Sequence, residues 1–340
     1  MQGSGLTRRE GLGLAALAAG AVAAPALGAV KIARPLVTKI DFKDPAWNRD
    51  TYARIDGTVE VGGPGKLSWM KGIAYGVRDN EPVRPLFGWE GFSYIRNVAL
   101  PNDDWQRLCR EVVFYRDLKT GAILETWRNP YTDEDVKVVP IANDPFNMRL
   151  STTYPEPPSY GGLQTMKRDP RPYLLDWTTG PNDTLVLRTG IDMIYPAALQ
   201  PDQWPRESAG PWNRVSEHFH YTVARKDVEN PALPYIPQTG SWHRVTSWLP
   251  WMLMGQAPGN ISYFGNFAAS AKLADLPADL IAAARAMGDK WFSAPTEDIG
   301  PSLSSLENYR LTQKPAAVPA GWAPPQPPPL RPLPMRPKAG

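Results

Sequence analysis

The sequence predicts a mainly β protein, an antiparallel β-barrel or strongly curved sheet with one C-terminal helix. Three observations point there: runs of strand length with alternating apolar and polar residues, Pro and Gly punctuation between them, and one helical stretch late in the chain. The alternation is clearest from Arg110 to Asn129, where Glu111, Val113, Tyr115 and Asp117 alternate with Arg110, Val112, Phe114 and Arg116. A Lys119-Thr120-Gly121 turn follows, and Ala122 to Arg128 returns as a second strand. Glu134 to Val139 completes a meander. Further strands are expected at Thr58–Val61, Lys66–Val77, Thr184–Tyr195, Val215–Arg225, His243–Leu253 and Ile261–Ala268. Pro-rich loops separate them, notably Tyr154–Pro172 and Tyr195–Pro211. Pro277 suits a first helical turn, after which Leu280, Ile281, Ala284, Met287 and Trp291 fall on one face.

The two ends of the chain read differently. Thr7-Arg8-Arg9-Glu10-Gly11-Leu12 opens an apolar run to Leu27, and small residues at Ala24, Ala26, Gly28 and Ala29 offer cleavage positions. A positive start, an apolar middle and a small-residue end make a signal peptide. The paired arginines give residues 1–29 the form of a twin-arginine signal, which makes the translocase of that pathway an expected partner. A periplasmic or secreted location in a Gram-negative bacterium follows. The run is too short and glycine-rich for a membrane span, so no stable span is expected after cleavage. Residues 315–340 are dominated by Pro and Ala, as in Pro324-Pro325-Gln326-Pro327-Pro328-Pro329, and read as a disordered or polyproline II tail. Residues 30–314 remain as a single β-rich domain.

Composition narrows the function. The net charge of +3 comes largely from the signal and the basic tail residues Arg331, Arg336 and Lys338, leaving the middle close to neutral. No nucleic-acid partner is expected. The single cysteine, Cys109, permits no intramolecular disulfide and reads as a core residue. With 13 Trp, 13 Tyr and 9 Phe the chain can fill a core and still line a ligand pocket. No phosphate loop, dinucleotide fingerprint, nucleophile elbow, paired-cysteine motif or haem-attachment motif occurs.

Chemistry is expected where the three histidines, His218, His220 and His243, cluster within 26 residues. In a strand, His218 and His220 share one face, about 6.6 Å apart. They can serve as an acid/base pair, since imidazole titrates near neutrality, or as ligands of a divalent metal with His243. The opposite face, with Val215, Glu217, Phe219, Tyr221 and Val223, is the more apolar. If that face is the core, the histidines look outward and Glu217 is on the wrong side to help them. Asp144, in Asn143-Asp144-Pro145-Phe146-Asn147, is either a turn former or a catalytic candidate, as a base or as a carboxylate that orients a histidine. Arg244, Trp242, Trp248 and Tyr221 are the expected ligand-binding residues, with His243 and Arg244 set among tryptophans.

Several phrases carry a resemblance. Phe114-Tyr115-Arg116-Asp117 with Thr120-Gly121, Trp127-Arg128-Asn129-Pro130-Tyr131-Thr132, Asn143-Asp144-Pro145-Phe146-Asn147 and Gly240-Ser241-Trp242-His243-Arg244 resemble a bacterial family catalogued only as a domain of unknown function. The resemblance runs from about Ile55 to Trp291 and implies a whole-chain domain and export. It supplies no catalytic residues. The expected function is binding of a hydrophobic or aromatic small molecule, with cofactor-independent acid/base chemistry of the lyase or isomerase type. A non-catalytic periplasmic carrier and a histidine-liganded, metal-dependent hydrolase or oxygenase are the alternatives.

Overall fold

The computed structural model describes residues 31–154, 169–269 and 272–329. The expected signal (1–29) and the end of the proline-rich segment (330–340) lie outside these. The strands are β1 (Lys66–Val77), β2 (Arg84–Ala99), β3 (Trp105–Arg116), β4 (Thr126–Asn129), β5 (Glu134–Lys137), β6 (Ile141–Asn143), β7 (Met148–Leu150), β8 (Asp176–Gly180), β9 (Thr184–Pro196), β10 (Trp212–Ala224), β11 (Thr239–Thr246) and β12 (Asn260–Ala268). All the ladders between them are antiparallel. The expected return after the Lys119-Thr120-Gly121 turn touches β3 only at an Arg116–Ile123 bridge before β4 pairs with β5, and Thr58–Val61 makes isolated bridges rather than a strand. The main sheet has the order β6-β3-β2-β1-β12-β11-β10-β9-β8, with β7 also on β3, while β4 and β5 form a separate ribbon.

The expected barrel does not close. No ladder joins β8 to β6 or β7 among the described residues. The edge strands explain this. β6 and β7 are three residues each, separated by a link that contains Pro145, and a proline has no N–H to donate to a ladder. Strands far apart in the order nevertheless line one interior cavity: Glu111 of β3, Glu217 of β10 and Arg244 of β11 all face it.

Helix α1 (Pro45–Asp56) is the element the sequence reading lacked. Asp44 caps it by accepting from the Ala46 N–H at 2.8 Å, and Pro45 presets the first turn. Trp47, Asn48, Arg49, Asp50, Thr51, Ala53, Arg54 and Ile55 are all buried, so the helix has no solvent face to create a periodic pattern. Asn48, Asp50 and Arg54 find polar partners there instead. Asn48 Oδ1 accepts from the Leu175 N–H and the Trp177 indole at 3.1 and 2.9 Å. Arg54 donates to the Asn230 and Val228 carbonyls at 2.9 and 2.5 Å. Tyr52 and Asp56 from the same helix reach the cavity.

The expected C-terminal helix is present as α3 (Ala278–Ala286), with Pro277 at its N-cap. It covers the outer face of the β1–β3 region, where Leu280 and Ala284 pack with Leu67, Phe92, Val112 and Phe114. The Arg116 guanidinium ties the layers together, bonding Asp279 and Glu90 at 2.6 Å each. Two shorter helices, α2 (Arg225–Glu229) and α4 (Ser305–Thr312), follow β10 and α3; in α4 the Ser304 and Glu307 side chains form a capping box. Beyond α4 the described part of the proline-rich segment has defined partners. The Ala316 N–H donates to Glu207 at 2.6 Å, Arg206 to the Ala317 carbonyl at 3.1 Å, and Arg78 to the Pro325 carbonyl at 3.0 Å.

Two buried residues of the sheet have acidities far from their usual values. Cys109 is fully buried on β3, and burial pushes its thiol up to about 12. Lys66, at the start of β1, donates to the Ile55 carbonyl and makes no ion pair among the described residues. Burial lowers its pKa to about 7, against a partial counter-effect from Asp56. A base whose folded pKa lies below its unfolded value of 10.5 binds fewer protons folded than unfolded between the two. Stability from this group therefore rises with pH from about 7 to 10.5. Lys66→Met is expected to flatten that slope in urea titrations at pH 7, 8.5 and 10, and an unchanged slope would count against a buried neutral amine.

Candidate functional site

The period-2 alternation of β10 sets which side chains enter the interior. Asn213, Val215, Glu217, Phe219 and Tyr221 point inward, joined from β11 by Trp242, Arg244 and Thr246 and from β12 by Tyr263 and Phe267. On the far wall stand Arg107, Glu111, Val113 and Tyr115 of β3 with Trp89 of β2. Together with α1, α4 and the segment after β11 they line a cavity of about 1410 Å³ that opens to solvent. This is larger than the usual ligand cleft of about 300–1,000 Å³.

Trp89 reaches the cavity wall because of two glycines. Gly72 of β1 and Gly265 of β12 are opposite each other in the ladder, and a Cβ on either would fall 2.6 or 2.2 Å from Trp89 Cζ2. The indole lies across both backbones and meets Trp242 edge-on at 5.0 Å between ring centroids.

The cavity's charged centre is the Arg244–Glu217 pair, cross-strand neighbours with Nη1 and Oε1 at 3.0 Å. Burial alone would push the Arg244 pKa down. Glu217 outweighs it, aided by Tyr263, Tyr195 and Tyr115, and holds the guanidinium above its ordinary range. The Arg244 side chain stays 24 % accessible on the cavity wall. The Tyr115 hydroxyl sits beside the Trp251 indole N–H and the Tyr263 hydroxyl, and neither of those two groups completes a hydrogen bond. Burial raises both tyrosines, Tyr115 to about 12.

A second polar cluster lies toward α1. Arg107 pairs with Asp56 and donates to the Phe146 carbonyl at 2.6 Å. Tyr52 and Tyr221 stand beside it, ring centroids 6.3 Å apart. Desolvation raises both phenols and keeps them neutral.

Glu111 lies between the two clusters. Its Oε1 accepts from Asn143 Nδ2 at 3.0 Å, and Asn143 Oδ1 accepts in turn from Asn308 Nδ2 of α4 at 3.1 Å. No ion pair reaches Glu111 among the described residues. Burial raises its carboxyl pKa, with Glu217 adding to the effect, while Asn143, Arg107 and Arg244 oppose it.

Of the residues expected from sequence, Arg244, Trp242, Trp248 and Tyr221 all line the cavity. The histidines do not. They occupy the opposite face of β10 and β11, with His218 and His220 exposed. His218 Nε2 meets Ser216 Oγ at 3.1 Å; His243 Nε2 meets Ser262 Oγ at 3.0 Å and stacks on Phe264 at 4.4 Å. His218 and His243 are cross-strand partners with rings 6.5 Å apart, and His220 lies further along β10. The physical reason is the alternation itself: the more apolar face, with Phe219 and Tyr221, took the interior and turned the imidazoles out. Burial, and then the neighbouring His218, push the His243 pKa down.

Asp144 does not orient a histidine either. It sits in ion pairs with Arg110 at 2.8 Å and Lys290 at 2.7 Å, joining the β6–β7 link to the segment after α3. Among the described residues no group of three or more His, Cys, Asp or Glu side chains is placed to hold a metal ion. Sequence reasoning passed over Glu111, Arg107 and Tyr263. The signal for Glu111 was its place in the alternation with Val113 and Tyr115, which makes it inward-facing.

Residues 65–312 match the model of a family described as "Protein of unknown function (DUF1838)". No curated protein matches the chain.

Proposed function

We propose that this chain, which belongs to that family, binds a hydrophobic or aromatic small molecule inside a strongly curved sheet, with the ligand's anionic or polar head at Arg244. The observation that carries the reading is the cavity of about 1410 Å³, whose aromatic walls surround the Arg244–Glu217 pair. An apolar cavity with few fixed polar groups is the general form of a small-molecule site. A guanidinium among aromatic rings suits a flat ligand with a carboxylate, sulfonate or phenolate. The Thr7–Leu12 motif supports export through the twin-arginine translocase to the periplasm, where the cavity would meet its ligand.

Two fluorescent probes of similar shape test this. Both 1-anilinonaphthalene-8-sulfonate, which is anionic, and N-phenyl-1-naphthylamine, which is neutral, are expected to bind saturably and quench tryptophan emission. Arg244→Met combined with Glu217→Gln removes the charged pair without stranding either partner. A lost charge-assisted contact of about 1.5–3 kcal/mol corresponds to a roughly 10- to 100-fold weaker sulfonate affinity. The neutral probe should change less than about threefold. Failure of both probes to bind the wild-type chain sinks the reading.

A further inference from the structure

The assignment rests on the ligand-binding reading above and goes beyond it to a reaction. We propose that Glu111 is a general base that removes a proton from carbon in the bound ligand, with the oxyanion formed paired to Arg244.

The first support is orientation. Asn143 holds Glu111 Oε1, and Asn143 is itself fixed by Asn308 and, at 3.5 Å, by Ser305 Oγ. No hydrogen bond occupies Oε2 among the described residues. One oxygen is anchored and the other is left for a ligand, which is the arrangement a positioned base requires. The second support is the electrostatic setting. Glu217 has Arg244 and Asp56 has Arg107, whereas Glu111 shares the cavity with both pairs and joins neither. A carboxylate in an apolar cavity without a neutralising partner is a stronger base than one in water. The third is the electrophile. Nη1 of Arg244 pairs with Glu217, and no hydrogen bond occupies its Nη2 among the described residues. Preorganised donors aimed at developing negative charge lower the barrier to proton abstraction.

The step balances without a co-reactant. The C–H bond next to a carbonyl breaks, the proton passes to Glu111 and the electron pair moves onto the carbonyl oxygen as an enolate. Return of the proton at another carbon gives an isomer. Departure of a leaving group from the β-carbon with its electron pair gives an elimination product. The substrate class is therefore a hydrophobic ketone, or a related aromatic carbon acid, whose conjugate base carries its charge on oxygen.

The test uses 5-nitrobenzisoxazole on the full chain. A base takes its ring C–H proton, the electron pair forms the nitrile as N–O breaks, and the released 2-cyano-4-nitrophenolate is followed by absorbance. The wild-type protein is expected to accelerate this reaction over acetate, with a rate that rises with pH to a plateau. Glu111→Gln should lower kcat/KM by about 100-fold or more while N-phenyl-1-naphthylamine still binds. Asn143→Ala, which keeps the carboxylate but removes its hydrogen bond, should move the midpoint of the pH profile upward. A merely structural role would not produce that shift. Unchanged turnover in Glu111→Gln overturns the assignment, as does a wild-type protein that binds the neutral probe without turning over the benzisoxazole. Loss of probe binding in the wild-type chain overturns the binding reading and the base assignment together.

Discussion

Asp50→Ala is expected to destabilise the protein by about 3–5 kcal/mol, the cost of stranding a buried charge by removing its partner. Asp50 is wholly buried in α1 and collects four donors: Arg34 at 2.6 Å, Arg49 at 2.8 Å, the Trp105 indole at 2.9 Å and the Val37 N–H at 3.1 Å. Alanine leaves the buried Arg49 guanidinium, the partly buried Arg34 guanidinium, an indole N–H and a backbone N–H without this acceptor. Burial alone would raise the Asp50 pKa, but the bonds from Arg34, Arg49, Trp105 and Val37 outweigh it and hold it below 3.8. A carboxylate depressed in the folded state stabilises above its unfolded pKa, and that contribution is lost as pH falls through the folded value. The wild-type chain should therefore lose stability below about pH 4, and Asp50→Asn should blunt that acid sensitivity. Urea unfolding at pH 7 and pH 3 measures both effects. An Asp50→Ala chain within 1 kcal/mol of wild type at pH 7 would refute the account, since removing a single neutral hydrogen bond already costs about 1 kcal/mol.

Gly265→Val has a comparable effect for a steric reason. A Cβ at Gly265 would lie 2.2 and 2.5 Å from two Trp89 ring carbons and 2.8 Å from the Lys71 carbonyl oxygen. Trp89 cannot slide across the sheet, because Gly72 lies flush against the same ring. The indole must leave, forfeiting its contacts with Trp242 and Tyr263 at 5.0 and 6.2 Å. Overpacking costs about 1–3 kcal/mol and each of the two aromatic pairs about 0.5–1.5, so a loss of about 2–6 kcal/mol is expected. Trp89→Ala in the same chain should restore part of it, giving a coupling energy of opposite sign in a double-mutant cycle. Strictly additive losses would show that the ring does not rest on Gly265.

These two positions show what a reader of the sequence could and could not find. β9, β10 and β12 were legible because one of their faces is inward and apolar and the other is more polar, so the period of two survives in the residues. β2 was not legible. Phe92 and Tyr94 lie under α3 on one face while Trp89, Ser93 and Ile95 line the cavity on the other, which makes its central run buried without alternation. α1 was hidden for a related reason: Asn48, Asp50 and Arg54 are polar in sequence and interior in space, each matched to partners from other segments. The site followed the same logic. Arg244, Trp242, Trp248 and Tyr221 could be picked as cavity residues from local composition. The alternation of β3 could turn Glu111 inward but not give its charged surroundings, which come from strands that are distant in the chain and not neighbours in the sheet. The histidines drew attention through their intrinsic titration, and the alternation that set them outward was in the same thirteen residues of β10.

The lone buried thiol described with β3 gives the chain a built-in stopwatch. Cys109 is the only cysteine in the sequence, it has no accessible surface, and in place it resists ionisation. The thiolate is the form that reacts with disulfide and maleimide reagents, so labelling must wait until β3 opens. At low reagent concentration the labelling rate is the product of the opening equilibrium and the intrinsic reactivity, and it reads out opening free energy under native conditions. Asp50→Ala and Gly265→Val can thus be ranked without denaturant or an introduced probe. A ligand held between β3 and β11 should slow the same clock in proportion to its occupancy.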